Sequence, residues 1–258
     1  MFSIIIPTLK KNIKVLNMLL KQLVEDENIA EIILIDNTSN GFEYPNNKVK
    51  VITPPKNLYV NPAWNLGISL CTNDYVGIVN DDLIFPKNFC VQVLEYLKQN
   101  KNVGYMGLET IEKSNDNLFI DYPKDRKLYF EKTNKRSLSF GSAMFFRKDN
   151  YYKIPEELKV FCGDDFLFYK ALDNGYENIK INNCGVLHLH ALTSSLKKFD
   201  KIKYNDQVHY SKINPNYVFC DRDVFSFLER IFCISHSYDK KHIKIMFLGL
   251  KIKIKRKF

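Results

Sequence analysis

Over the first hundred positions, short continuous apolar runs alternate with amphipathic stretches of helical period. Phe2–Ile6 is the first run, and Pro7-Thr8 stops it. Between Asn12 and Leu23, the residues Ile13, Leu16, Leu19, Leu20 and Leu23 fall on one helical face. Glu31–Ile35, Lys48–Ile52 and Tyr75–Val79 have the length and β-branched content of buried strands. Asn57–Pro62 reads as a loop, and Ala63–Cys71 and Lys87–Gln99 read as helices. Strand and helix alternating in this way predict a mainly parallel sheet covered on both faces. Right-handed crossovers make it a doubly wound, Rossmann-like α/β unit.

After Val103 the pattern loosens. Asn115–Arg136 is polar with scattered aromatics and reads as a flexible excursion. Ser139–Phe146 returns to apolar and small residues, a strand expected to pass close to a ligand through Gly141 and Ser142. Phe166–Asn174 reads as a helix ended by Gly175, and Ile179–Asn182 as a short strand. Val186–His190 alternates, so His188 and His190 point to the same face. Asp221 caps a predicted helix that runs to Ile234. Strict alternation of apolar residues and lysine after Leu250 has period 2, which excludes a helix there. It predicts a small hairpin turned at Gly249, with one lysine face. The expected division is a catalytic unit over 1–200, split into halves 1–100 and 101–200, and a C-terminal helical and hairpin extension over 201–258.

Polar residues break the strands where such a sheet holds its ligand. Pro7-Thr8, Asp36-Asn37 and Asn80-Asp81-Asp82 each follow the carboxyl end of a strand. Burying a carboxylate without a partner is costly, so Asp81 and Asp82 at the end of an apolar run need a reason. They form either a solvated turn or an oxygen site for a divalent cation. No G-x-G-x-x-G follows the first strand and no G-x-x-x-x-G-K-[ST] occurs, so dinucleotide and P-loop readings lose their main support.

The net charge of +9 is concentrated. Residues 240–258 hold eight Lys or Arg and no acid, which leaves 30 basic against 29 acidic residues in the body. That speaks against nucleic acid as a partner of the body and for an anionic partner at the C-terminus. The six cysteines are scattered, without a C-x-x-C pair, and read as reduced core residues of a cytoplasmic protein. No signal peptide is read, and no apolar run approaches the ~20 residues of a membrane span.

Six segments, in order, resemble one family: FSIIIPT at 2–8, IDNTSN at 35–40, NPAWNLGI at 61–68, VNDDLIFP at 79–86, GDDFLFYKALDNGY at 163–176 and HLHALTSS at 188–195. They are similar to the inverting glycosyltransferases of family 2, which have the GT-A fold. The likeness runs from Phe2 to about Ser195. The chain departs from the family pattern at Asn80, an amide where the D-x-D motif has its first acid, at Asp164-Asp165 in place of Glu-Asp, and at Lys170 in place of Arg.

The resemblance implies transfer from a UDP-, dTDP- or GDP-sugar to a glycan or lipid-linked acceptor, in bacterial lipopolysaccharide, lipooligosaccharide or capsule synthesis. It implies Mn²⁺ or Mg²⁺ on Asp82, completed by His190 or His188, with Asn80 or Asp81 turned to the ribose or acting through water. Such an ion neutralises charge that grows on a departing diphosphate. Pro7, Thr8, Asp36 and Asn37 would surround the nucleotide. Asn65 would either join them or serve the structure of its helix. The acceptor hydroxyl must lose a proton, and the resemblance assigns the general base to Asp165, with Asp164 the alternative. The same pair also suits a helix N-terminus. A sugar-phosphate nucleotidyltransferase would share the sheet and the ion but would need a glycine-rich loop, where Pro7–Lys11 has no glycine. A non-catalytic binding module is the other rival, allowed by Asn80. The basic tail either protects a hairpin edge or draws the protein to anionic lipid at the inner face of the plasma membrane, at ~1 kcal/mol per basic residue.

Overall fold

The computed structural model describes residues 1–113, 123–188, 199–214, 232–236, 242–248 and 250–255. The first part runs β1 (Phe2–Thr8), α1 (Ile13–Glu25), β2 (Ile29–Asp36), β3 (Val49–Ile52), α2 (Asn61–Leu70), β4 (Tyr75–Val79), β5 (Leu83–Ile84) and α3 (Phe89–Gln99). It continues with β6 (Val103–Leu108), β7 (Glu112–Lys113), β8 (Tyr129–Thr133), β9 (Ala143–Arg147), α4 (Gly163–Asp173), β10 (Glu177–Asn182), β11 (Leu187–His188) and α5 (Asp200–Ile213). The last strands are β12 (Phe232–His236), β13 (His242–Phe247) and β14 (Leu250–Lys255).

Eight strands form a mixed, mostly parallel sheet in the order β3-β2-β1-β4-β9-β6-β10-β8. The four strands β3, β2, β1 and β4 are parallel, and β9 enters antiparallel between β4 and β6. Parallel strands with helical crossovers bury both faces, so their sequences are apolar throughout rather than alternating. Ile4, Ile6, Ile32 and Leu34 meet Leu16 and Leu20 of α1 and Phe89 and Val93 of α3 on one face. Ile5, Ile33 and Ile35 meet Trp64 of α2 and Leu167 and Phe168 of α4 on the other. Thr8 is paired with Asp36 at the carboxyl ends of β1 and β2, which aligns the polar strand ends on one edge. A separate short sheet, β5-β11-β7, sets His188 opposite Leu83.

Several predicted elements change. The expected loop Asn57–Pro62 ends early, because Asn61 and Pro62 open α2; proline suits a first helical turn, where its missing N–H costs nothing. β6 is buried at all six positions, yet its two glycines break the apolar run in sequence. Tyr129–Thr133, read as part of an excursion, is the edge strand β8, held by backbone pairing to β10 and mostly exposed. Phe140–Ser142 is a 3₁₀ turn, and the strand expected from Ser139 begins at Ala143. α4 starts three residues earlier than expected, at Gly163. Phe232–Ile234, the end of the helix predicted from Asp221, is strand; the rest of that helix lies outside the described residues. Cys71, Cys90, Cys162 and Cys184 are buried and form no disulfide among the described residues. Among the described residues no helix is long and apolar enough to cross a membrane.

Candidate active site

The carboxyl edge of β1 and β4, with the segments after β6 and before β9, encloses a cleft of about 860 Å³. Pro7, Thr8, Asn37, Asn80, Asp81, Asp82 and His188 all line it. Three strand ends and a distant histidine thus meet in one space, because parallel register carries the polar residue after each apolar run to the same edge.

Asp81 and Asp82, adjacent in sequence, turn to different partners. Asp81 accepts from Thr8 Oγ1 at 2.5 Å, and the Lys10 N–H in turn donates to Thr8 Oγ1 at 2.8 Å. Burial pushes the Asp81 carboxyl up to about 6 against the Thr8 hydrogen bond, and the charge of Asp82 adds to the rise. Asp82 Oδ2 lies 3.0 Å from His188 Nε2. That contact depends on β11 pairing with β5 just beyond the acidic turn.

Asp82 Oδ1 is buried without a hydrogen-bond partner. A buried, orphaned carboxylate oxygen is costly unless something else satisfies it. Among the described residues no three His, Cys, Asp or Glu side chains converge as a cation cage. Two protein ligands nevertheless fit an ion whose remaining positions go to substrate phosphates and water. The donor set of carboxylate and imidazole therefore suits Mn²⁺ or Mg²⁺. His190 lies outside the described residues.

A second carboxylate pair sits in the first turn of α4, where the helix dipole favours negative charge. Asp164 and Asp165 do not themselves line the cleft; Arg136, which does, donates from Nε to Asp165 Oδ1 at 2.7 Å and from Nη1 to Asp164 Oδ2 at 2.8 Å. Burial and the neighbouring Asp164 push the Asp165 carboxyl up to about 6, while the guanidinium opposes them. Ser137 Oγ donates to the Leu108 carbonyl at 2.7 Å, which ties the Arg136 segment to the end of β6. The entry of α4 is set by two close approaches. A Cβ on Gly141 would stand 2.2 Å from Asp164 Oδ2, and one on Gly163 would stand 2.1 Å from Asn61 Oδ1. Gly141 thus makes room for the carboxylate pair, where the sequence pointed to a ligand.

Two predicted residues are used elsewhere. Asp36 is fully buried and does not line the cleft. Burial would raise its carboxyl, but hydrogen bonds from Lys10 Nζ at 2.8 Å and from Thr38 hold it below the usual range. Asn65 is not brought to the cleft either. Its amide donates to the Ile154 carbonyl and accepts from the Ile154 N–H and the Tyr151 hydroxyl, fastening the 151–154 segment onto α2. Asn37 bridges instead: its side chain donates to the Tyr59 carbonyl and accepts from the Leu58 N–H, both at 3.0 Å. Tyr59, in a left-handed conformation at φ 66°, lines the cleft and was not singled out from sequence. Nor was Arg136, since one arginine in a polar stretch carries no signal until its partners are known.

No curated protein sequence matches the chain. Among solved structures, the chain is similar to the 1–349 portion of S. aureus TarS in complex with UDP-GlcNAc, at a TM-score of 0.60 and 18% identity. That alignment covers 81% of this chain and 66% of the other. The same portion in complex with UDP aligns at a TM-score of 0.58 and 18% identity, covering 81% and 65%. GalNAc-T7 with UDP, GalNAc and Mn²⁺ aligns at a TM-score of 0.60 and 14% identity, covering 84% and 51%. The chain spans under two thirds of the length of these neighbours, and the likeness is one of fold, the GT-A fold. Residues 3–174 match the model of the family described as glycosyl transferase family 2. That match takes in β1, the Asn80-Asp81-Asp82 turn and the Asp164-Asp165 pair in a single span, and the chain belongs to glycosyl transferase family 2.

Proposed function

We propose that the protein moves a hexosyl or related sugar from a nucleotide-diphosphate donor to an acceptor hydroxyl, with inversion at the anomeric carbon. One observation carries this reading. Asp82, one of whose oxygens is buried and unpartnered, and Arg136, which grips Asp164 and Asp165, line the same cleft. A displacement needs charge neutralised on one side of the reacting carbon and a proton removed on the other.

Pro7, Thr8, Asn37 and Asn80 form the donor wall, with Tyr59 beside Asn37. Asp36 acts behind it, holding Lys10 and the Thr38 turn. Asp82 and His188 would hold Mn²⁺ or Mg²⁺, which supplies neutralisation of the diphosphate charge as the sugar–phosphate bond breaks. Asp165 accepts the acceptor hydroxyl proton as its oxygen bonds to the anomeric carbon. The bond to the nucleoside diphosphate breaks on the opposite face, so one displacement inverts the centre. Arg136 and the α4 dipole favour the ionised carboxylate that this step requires. The donor is a UDP-, dTDP- or GDP-sugar, and UDP or UDP-GlcNAc in the structural neighbours supports the first of these. The acceptor is a glycan or a lipid-linked glycan of a bacterial cell surface, reached from the cytoplasmic face. The charge of residues 240–258 supports contact with an anionic membrane there.

The test is Asp165→Asn in a purified enzyme supplied with Mn²⁺ and a panel of nucleotide sugars. Transfer is expected to fall by about 100-fold or more, with donor binding in a thermal-shift assay unchanged. Near-normal turnover would remove Asp165 from the role of base, leaving Asp164 to be tested in the same way.

A further inference from the structure

The strands β12, β13 and β14 pair antiparallel into a sheet of their own. Their register aligns Phe232, Phe247 and Leu250 in one row, Ile234, Ile245 and Ile252 in the next, and His236, Ile243 and Ile254 in the third. Directly opposed residues share a face, and rows two residues apart share it as well. One face is therefore apolar at eight of its nine positions. The intervening positions include Lys244, Lys251, Lys253 and Lys255 and fall on the other face.

This apolar face meets solvent. Phe232, Phe247, Leu250, Ile252 and Ile254 are 47–69% exposed. Leu248 stands 67% exposed at the hairpin tip in a left-handed conformation, φ 47°. A contiguous patch of this kind marks a surface that is covered in use. The local charge selects the cover, because residues 240–258 carry eight cations and no acid. A second copy seated face to face would cover the apolar residues but bring no negative charge to these cations. An anionic surface satisfies both features at once.

We infer that this three-stranded sheet is a membrane-docking element, which lays its apolar face into the headgroup boundary of an anionic lipid bilayer. A sheet is only about 10 Å thick, so the lysine positions stay within about one Debye length of the headgroup charge. The pattern is the sheet counterpart of an interfacial amphipathic helix. Docking does not depend on the proposed reaction; it deepens the reading of the acceptor as lipid-linked, since it would hold the cleft near a lipid surface.

The full chain would be floated with vesicles of phosphatidylcholine alone and of phosphatidylcholine with phosphatidylglycerol at about 2:1. Binding is expected to the second only and to weaken as salt is added. The triple variant Lys251→Gln, Lys253→Gln, Lys255→Gln should bind about 100-fold more weakly. The double variant Ile252→Asp, Ile254→Asp should lose at least about tenfold. A Leu250→Trp reporter should shift its emission to the blue on anionic vesicles. Melting temperature and turnover on a soluble acceptor should match the parent in all of them. Failure of the parent to float with either vesicle overturns the inference. So does flotation unchanged by the isoleucine variant, or a dimer that this variant dissociates without any vesicle binding. If the isoleucine variant does not fold, the lysine variant and the tryptophan reporter decide. A protein that floats as expected but transfers no sugar leaves the docking element standing and overturns the reaction instead.

Discussion

Asp165 carries two opposing demands. Its burial and Asp164 raise its carboxyl to about 6, and Arg136 keeps it from rising further. The proposed general base must be ionised, so activity should fall as the pH drops through about 6 and be retained above it. Arg136→Gln removes the cation that favours the charged form. The acid limb of kcat/KM should then move to higher pH by at least about one unit, as read from a pH–rate profile with donor binding intact. An unmoved limb would show that Arg136 does not act on the base. The acidic pair itself was legible in sequence, because a family motif and a helix start coincide there. Arg136 was not, since its side chain crosses 29 residues of chain to reach Asp165. Asn65 shows the reverse case: a motif residue whose three hydrogen bonds fasten α2 to the 151–154 segment.

At the scale of elements, α5 governs a wall of the cleft. Asp206, fully buried, accepts from the backbone N–H groups of Lys159, Val160 and Phe161 at 2.7–3.0 Å. Val160 lines the cleft, and the Lys159 carbonyl accepts from the first N–H groups of α2. One carboxylate thus joins α5, the entry to α4 and the start of α2. Asp206→Ala would orphan three donors, and a loss of about 2–4 kcal/mol is expected in chemical denaturation. A loss below about 0.5 kcal/mol would remove Asp206 from this role. Nothing in the apolar pattern announces α5, because Asp206, Gln207 and Tyr210 are its buried residues. The first hundred residues were far more legible, since α1, β2 and β4 follow apolar runs that burial on both faces requires.

At the scale of the molecule, membership of glycosyl transferase family 2 and the GT-A fold frame a cleft at one edge of the eight-stranded sheet, where the proposed donor site lies. Asp82 and His188 predict dependence on a divalent ion. EDTA should stop transfer and weaken UDP-sugar binding in calorimetry, and Mn²⁺ or Mg²⁺ should restore both; full transfer in chelator would refute the metal assignment. The amino-acid sequence by itself determined the doubly wound order and the polar strand ends, and it carries the motifs of the family. It could do so because strand burial imprints continuous apolar runs, and parallel register sends the next polar residue to a common edge. Only the tertiary structure decided which polar residues meet. Asp81 turns to Thr8, Asp82 to His188 more than a hundred residues away, and Asp165 to Arg136, while Asp36 and Asn65 are committed elsewhere. The physical reason is that a hydrogen bond depends on a distance of about 3 Å, and chain separation says nothing of that distance until the sheet is assembled.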